Sequence, residues 1–251
     1  MCLILVAWEK HPRFKLVIAA NRDEFYQRPT LPATFWEDEA SILGGRDLVY
    51  GGTWLGISRQ SRFAAVTNIR EPSLKKPESI SRGLLVSDYL RTDTGPESYL
   101  SAVMVRRHEY DPFNLLVGNG RKLCFLSSLE TSVRLLASGI YGISNGVLDC
   151  PWPKVIYGKM VFSEWVEHGD TDNESLFSLL GNNTGFPDKE LPDTGVGIEL
   201  ERALSPLFIH TGRYGTRSST VIMVGYQGEV SFYERTFDDS GNTVGAVSFT
   251  Y

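Results

Sequence analysis

Strand-forming runs crowd both ends of this 251-residue chain and helical signals lie between them, a distribution that restricts the fold more than any composition figure. CLILVAW (Cys2 to Trp8) and KLVIAAN (Lys15 to Asn21) flank the short turn HPR and read as a hairpin. GTWLGISRQ and RFAAVTN, which ends at Asn68, read as a second hairpin turning near Gln60 and Ser61. FNLLVGN, KLCFLSS and SVRLLAS continue from Phe113 to Ser138; STVIMVGY, EVSFYERTF and VGAVSFTY close the chain. Between them, SRGLLVSDYLRT reads as a helix capped by Ser81, and PESYLSAVMVRRHEY follows Gly95. Pro151 opens a helical segment reaching His168, and NESLFSLLG is a shorter helix. The stretch from Gly181 to Gly197 reads as a surface excursion. Hairpins at both ends with helices between them do not make a βαβ repeat, so the expectation is one α+β layered domain over residues 1–251.

Composition enters mainly by exclusion. The net charge is -5 and no basic stripe occurs, so no nucleic-acid partner is expected. No uncharged apolar stretch approaches the ~20 residues of a spanning helix, so no integral membrane segment is expected. Nothing basic precedes Cys2, and Glu9, Lys10 and His11 stop the apolar run, so the start is not read as a secretory signal. Three cysteines (Cys2, Cys124, Cys150) do not make a disulfide framework. With no CxxC, no HExxH and four scattered histidines, no metal site is expected. A reducing, cytoplasmic setting fits these features.

The chemistry starts at Cys2. Aminopeptidases generally remove an initiator methionine before a small residue, which leaves a thiol and a free α-amine on one residue. The thiol is a strong nucleophile, and an amine with a pKa of about 7.7–8.0 accepts its proton without a histidine. The alternative is an ordinary strand cysteine. Pairing across the HPR turn brings Asn21, Arg22 and Asp23 beside Cys2, where a carboxylate holds and charge-balances a terminal amine; a solvated strand end is the other reading of NRDE. Asn68 offers an oxyanion donor or a turn residue. Arg70 and Glu71 bind substrate or pair with each other. Asn145-Gly146 is a strong turn signal. Arg217 is expected just before a strand, and Ser218, Ser219 and Thr220 read as capping or anion-binding residues, with a β-bulge or edge position as the alternative. His11 is assigned to a turn, and His108 and His168 to helix C-termini, so no Cys–His dyad is supported.

Taken together, Met1-Cys2, Asn21-Arg22-Asp23-Glu24, GGTWLGIS, TNIREP, SRG-x-L-V-x-DYL, FNLLVG, SNGVLD-x-PWPKV, YGTRSSTVI and FYERTFD closely resemble the NRDE family, also known as the transport and Golgi organization protein 2 family. The resemblance spans nearly the whole chain. It implies the fold of the N-terminal nucleophile hydrolases, a four-layer αββα sandwich of two antiparallel sheets between helical layers. In pattern the family is similar to choloylglycine hydrolases and penicillin-type acyltransferases. By that likeness Cys2 matches the nucleophile, Asp23 the aspartate that holds the amine, Asn68 the oxyanion asparagine and Asn145 a second active-site asparagine. Arg217 matches a late arginine that orders the site, and Asn21, Arg22, Glu24 and Arg70 are expected to bind substrate. Those hydrolases usually carry an arginine just before the asparagine matching Asn21; here Ile18, Ala19 and Ala20 stand there, with Arg22 as the substitute.

Two functions follow. One is an acyl amide or thioester hydrolase or acyltransferase centred on Cys2, with a small acyl compound as substrate and no required cofactor. The other, which the family's proposed roles favour, is a non-catalytic carrier of haem or acyl-CoA. For that carrier Cys150-Pro151 is either an ordinary loop pair, as such pairs often are, or a haem ligand, and Arg22, Arg70 and Arg217 are the candidate phosphate partners.

Overall fold

The computed structural model describes residues 2–76 and 78–251. In chain order the strands are β1 (Cys2–Trp8), β2 (Phe14–Phe25), β3 (Thr30–Phe35), β4 (Ile42–Asp47), β5 (Leu55–Ser58), β6 (Phe63–Asn68), β7 (Phe113–Gly118), β8 (Leu123–Ser127), β9 (Arg134–Leu135), β10 (Gly139–Ile143), β11 (Tyr214–Gly225), β12 (Val230–Phe237) and β13 (Thr243–Thr250). The helices are α1 (Arg82–Arg91), α2 (Pro96–Arg106), α3 (Pro153–Glu167), α4 (Asn173–Leu180) and α5 (Ile198–Ala203). Two compact units result: one takes the chain up to Gln27, Arg70–Pro72 and Ser138–Tyr251, the other Arg28–Ile69 and Ser73–Ala137.

The first unit is built on a six-stranded antiparallel sheet in the order β10-β1-β2-β11-β12-β13. Leu3, Leu5 and Ala7 of β1 and Val17 and Ala19 of β2 pack with Val155, Phe162 and Val166 of α3 and with Leu176, Leu179 and Leu180 of α4. The intervening Ile4 and Val6 are buried as well. Burial on both faces explains why CLILVAW is continuously apolar instead of alternating, each large side chain contributing about 1.5–3 kcal/mol. The first hairpin forms as expected, and its turn is pinned by His11. The His11 Nδ1 accepts from the Arg13 and Phe14 backbone N–H groups at 3.1 and 3.2 Å, so Nε2 donates to the Asp170 carbonyl at 2.7 Å. His11 is therefore a buried structural residue, more than the turn residue expected.

The second unit is a seven-stranded antiparallel meander, β3 to β9 in sequence order, with α1 and α2 inserted between β6 and β7. Leu85, Val86 and Tyr89 of α1 and Leu100 and Val103 of α2 pack on Val66, Leu115, Val117 and Leu126. The expected hairpin of β5 and β6 is present, with Leu55 opposite Ala65.

Three details depart from the sequence reading. Ser81 precedes α1 but makes no side-chain cap; the first turn is closed by the Leu84 N–H on the Ser81 carbonyl. Strands β3, β4 and β10 were not anticipated. Pro32 obscures β3, which tolerates a proline because it lies at the sheet edge. Gly44 obscures β4, yet a Cβ there would sit 2.7 Å from the Leu55 carbonyl oxygen, so the close approach of β5 demands glycine. Finally, the stretch after Gly181 holds one 3-10 turn at Asp188–Glu190 and leads into the unanticipated α5. No helix among the described residues is long and apolar enough to cross a membrane.

Candidate active site

Strand register assembles the site at one end of the first sheet. Cys2 lies directly opposite Arg22 of β2, and Arg22 lies opposite Ser218 of β11, so the three share one face in a row. On the other side of β1, Ile4 pairs with Ile143, the last residue of β10, so the following Ser144 and Asn145 run on toward Cys2. The Ser144 hydroxyl donates to the Cys2 carbonyl at 3.1 Å and lies 3.3 Å from the Asn145 Oδ1. The Asn145 carbonyl accepts the Arg70 backbone N–H at 2.8 Å, which ties the short Arg70–Pro72 segment to this loop. Asn145 is buried.

Asp23 lies opposite Thr216 on the alternate face of β2. Its Oδ1 accepts the Thr216 hydroxyl at 2.7 Å, and the Thr216 Oγ1 in turn accepts the Ile209 N–H at 2.9 Å. The Tyr214 hydroxyl donates to the Asp23 backbone carbonyl at 2.9 Å. Burial raises the Asp23 carboxyl above its usual range, and Lys154, the Thr216 hydrogen bond and Arg22 pull it back down. Burial also raises the Cys2 thiol; nearby Asp23 adds to the rise, while a backbone hydrogen bond from Asp23 and the Arg22 charge oppose it. The thiol is thus protonated at neutral pH, and nucleophilic attack needs a base. The expected removal of Met1, which supplies that base as a free amine, lies outside the described residues.

The remaining expected residues divide. Asn21 is buried and its side chain is spent on protein partners: Nδ2 donates to the Leu180 and Leu207 carbonyls at 2.8 Å each, and Oδ1 accepts from Ser219 at 2.6 Å. It locks β2 to β11 and to the end of α4, where substrate contact was expected. Arg217 lies inside β11, not before it, at the bulge between Thr216 and Ser218. It donates to the Phe25 carbonyl at 2.9 Å and covers the Tyr26 ring. Burial and the like charge of Arg22 lower its pKa. Glu24 accepts its neighbour Phe25's N–H at 2.9 Å. Arg70 pairs with Glu201 of α5, 131 residues away, and its guanidinium lies over the Trp152 ring. Asn68 ends β6 in the second unit, paired with Phe113, and its expected oxyanion role rests on the resemblance. Cys150 is half-buried in the turn after Asn145-Gly146. Among the described residues no group of three or more His, Cys, Asp or Glu side chains is placed to hold a metal.

The family model described as Transport and Golgi organisation 2 matches residues 1–239. The chain belongs to that family. Relatives include the transport and Golgi organization protein 2 homologs of Homo sapiens, 37% identical over 95% of this chain and 94% of the relative, and of Bos taurus, 35% identical over 97% and 95%. The Drosophila melanogaster protein is 31% identical over 94% and 92%. Among solved structures, an N-acylethanolamine-hydrolyzing acid amidase ortholog of Caenorhabditis elegans is similar with a TM-score of 0.53 and 14% identity, covering 88% of this chain and 92% of that one. A C2A mutant of conjugated bile acid hydrolase from Clostridium perfringens gives 0.55 at 10% identity, covering 100% and 96%. At such identities the likeness shows the fold alone: the transport and Golgi organisation 2 chain has the N-terminal nucleophile hydrolase fold, as the sequence resemblance implied.

One buried charge of the first unit escaped the sequence reading. Lys154, in the PWPKV stretch, stands in the first turn of α3 and is almost fully buried, its Nζ donating to the Leu204 carbonyl at 3.1 Å. Burial lowers its pKa to about 8, against the opposing pull of Asp23, Cys2 and Glu201. Glu201 itself is held by Arg70 and by the Thr194 N–H and hydroxyl at 3.0 and 2.6 Å. Lys154, Arg70 and Glu201 line one small recess. Their partners lie far apart in sequence, so no local motif announces them.

Proposed function

We propose that this chain is an N-terminal nucleophile hydrolase or acyltransferase acting on an acyl amide or thioester. The observation that supports this most is the strand register, which puts Cys2 opposite Arg22 with Asp23 as the next residue, its carboxylate buried and held by Thr216. In the proposed step the α-amine freed by Met1 removal takes the thiol proton, and the sulfur bonds to the acyl carbonyl carbon. The oxyanion is stabilised by the Asn145 amide. Asp23 holds the terminal ammonium, which returns its proton to the leaving amine or thiol; water or an acceptor then releases the acyl group. A panel of acyl amides and thioesters tests this: hydrolysis by the wild type that vanishes in Cys2→Ala supports the reading, and equal turnover by both proteins removes it.

A second reading, a carrier of acyl-CoA on the same scaffold, draws on Arg22. Its residue is 7% exposed, and no hydrogen bond or ion pair joins its guanidinium to a described residue. A buried cation beside Cys2 suits a ligand with phosphate or carboxylate groups. Calorimetry with acyl-CoA tests this reading: Arg22→Met is expected to weaken binding at least tenfold, and unchanged affinity contradicts it. The haem form rests on Cys150, and a saturable Soret shift lost in Cys150→Ala is its test.

A further inference from the structure

The sheets of the two units present four edge strands among the described residues, β3 and β9 in one and β10 and β13 in the other. Three of them are blunted. In the second unit β3 carries Pro32, and β9 is two residues long and contains Arg134. In the first unit the Gly142 N–H and carbonyl on the outer side of β10 are both taken by Asp149, at 2.8 Å each. Prolines, short or charged strands and covered edges are the usual protection against edge-to-edge association. The fourth edge, β13, lacks all of these. Its eight residues, TVGAVSFT, include no charge and no proline. Its one bulge, at Val244, lies outside the run from Gly245 to Thr250.

The phase of the ladder shows which backbone groups of β13 face outward. Val230 and Tyr251 exchange both bonds, the Val230 N–H to the Tyr251 carbonyl at 2.8 Å and the Tyr251 N–H to the Val230 carbonyl at 3.1 Å. Bonded and non-bonded pairs alternate from there, so Phe249, Val247 and Gly245 bond inward to Phe232, Glu234 and Thr236. Ala246, Ser248 and Thr250 therefore direct their N–H and C=O groups outward, where no strand among the described residues receives them. The side chains of Ala246 and Ser248 are exposed and border an open groove of about 160 Å³ beside Phe177, Tyr233 and Arg235.

We propose that β13 pairs antiparallel with β13 of a second copy of this chain, joining two six-stranded sheets across a two-fold axis. The strand's own sequence selects that occupant. An axis through Val247 gives the fullest overlap, and it sets Ala246 opposite Ser248 of the second copy, two outward-bonding residues that exchange both hydrogen bonds. In the same register Gly245 faces Phe249 of the second copy, and Phe249 faces its Gly245. Phe249 is half-buried, its ring edge-on to Phe232 at 6.4 Å between centroids. An aromatic ring across from a strand glycine covers the backbone that the glycine exposes. A bare edge accepts any strand, whereas glycine and phenylalanine placed symmetrically about the axis make this edge complementary to itself. The pairing rests on the sheet edge alone and does not depend on the chemistry at Cys2.

The test is gel filtration with light scattering on the full chain. Loaded from about 1 to about 100 μM, the wild type is expected to show a mass rising toward that of a dimer. Ala246→Pro removes an outward N–H and leaves the inward ladder intact, so it is expected to weaken association at least tenfold with an unchanged circular dichroism spectrum. Ser248→Lys, at an exposed position, is expected to have the same effect without any constraint on the backbone. In Val247→Cys, mild oxidation is expected to link two chains through that position, because a non-hydrogen-bonded pair brings Cα atoms to about 4.5 Å. Peptide mass mapping identifies the link. A wild type that stays monomeric throughout overturns the proposal, as does a dimer that Ala246→Pro and Ser248→Lys leave unchanged. A dimer in which Val247→Cys forms no link contradicts it as well. A monomer that instead binds an added extended peptide of foreign sequence gives the edge to another partner and equally overturns it.

Discussion

Cys2 at the head of β1 and Cys124 inside β8 are both buried strand cysteines, and the contrast between them separates what burial does from what neighbours do. Cys124 lies opposite Val117 and Leu135 and packs among Leu115, Val117 and Leu126. Burial, with Glu97 adding to it, pushes its thiol up to about 11. Burial raises the Cys2 thiol too, but there Arg22 stands across the ladder and the Asp23 backbone bonds to the sulfur. An apolar strand alone makes a small inert hydrophobe. The strand end at Cys2 has a cation across the ladder and a buried carboxamide, Asn145, following β10, and the proposed function rests on that setting.

The largest effect that would break this contrast is on turnover. Cys2→Ala is expected to reduce acyl hydrolysis to background with little change in melting temperature. Cys124→Ala is expected to leave kcat unchanged and cost about 1–2 kcal/mol in chemical denaturation, the usual penalty of a small core deletion. Activity that survives the first substitution or is lost with the second inverts the comparison. Next in size is the buried charge of the first unit, which has no equivalent around Cys124. Arg70→Met leaves Glu201 buried without its cation and is expected to cost about 3–5 kcal/mol, with much of that recovered in the double variant Arg70→Met/Glu201→Leu. Asn21→Ala follows, at about 2–3 kcal/mol by urea denaturation, because the Leu180 and Leu207 carbonyls and the Ser219 hydroxyl lose their partner.

How much of this was legible in the sequence follows from the range of each interaction. The β1–β2 hairpin and the nearness of Asp23 to Cys2 are local consequences of a short turn and two apolar runs, and both were read correctly. Lys154 was quoted within PWPKV but read as part of a helix start, because nothing local tells a buried lysine from a solvated one. Its burial is matched by a hydrogen bond to the Leu204 carbonyl, 50 residues later. Glu201 and Thr216 were missed for the same reason. Arg70 also pairs with Glu201 of α5, a partner 131 residues away that no local pattern announces. Proximity in sequence misleads most where charges are buried.

The smallest effect concerns the quiet end of the same hairpin. Burial lowers the His11 pKa below 6.5, and the Asp170 carbonyl opposes that shift. The unfolded chain therefore binds the proton more readily. His11 contributes stability above pH 6.5 that is lost as the pH falls through and below that value. Urea midpoints between pH 7 and pH 5 are expected to fall in the wild type and to fall less steeply in His11→Gln; parallel curves contradict this.

The central claim, that Cys2 is a first residue whose sulfur takes up an acyl group under the control of Asp23, is tested most directly by trapping. The protein is mixed with an activated acyl thioester, quenched in acid, and analysed by intact mass and N-terminal peptide mapping in the wild type, Cys2→Ala and Asp23→Asn. The expected result is a chain that begins at Cys2 and carries one acyl group there, absent from Cys2→Ala and strongly reduced in Asp23→Asn. A retained Met1, or acylation distributed equally over Cys2, Cys124 and Cys150, contradicts the account.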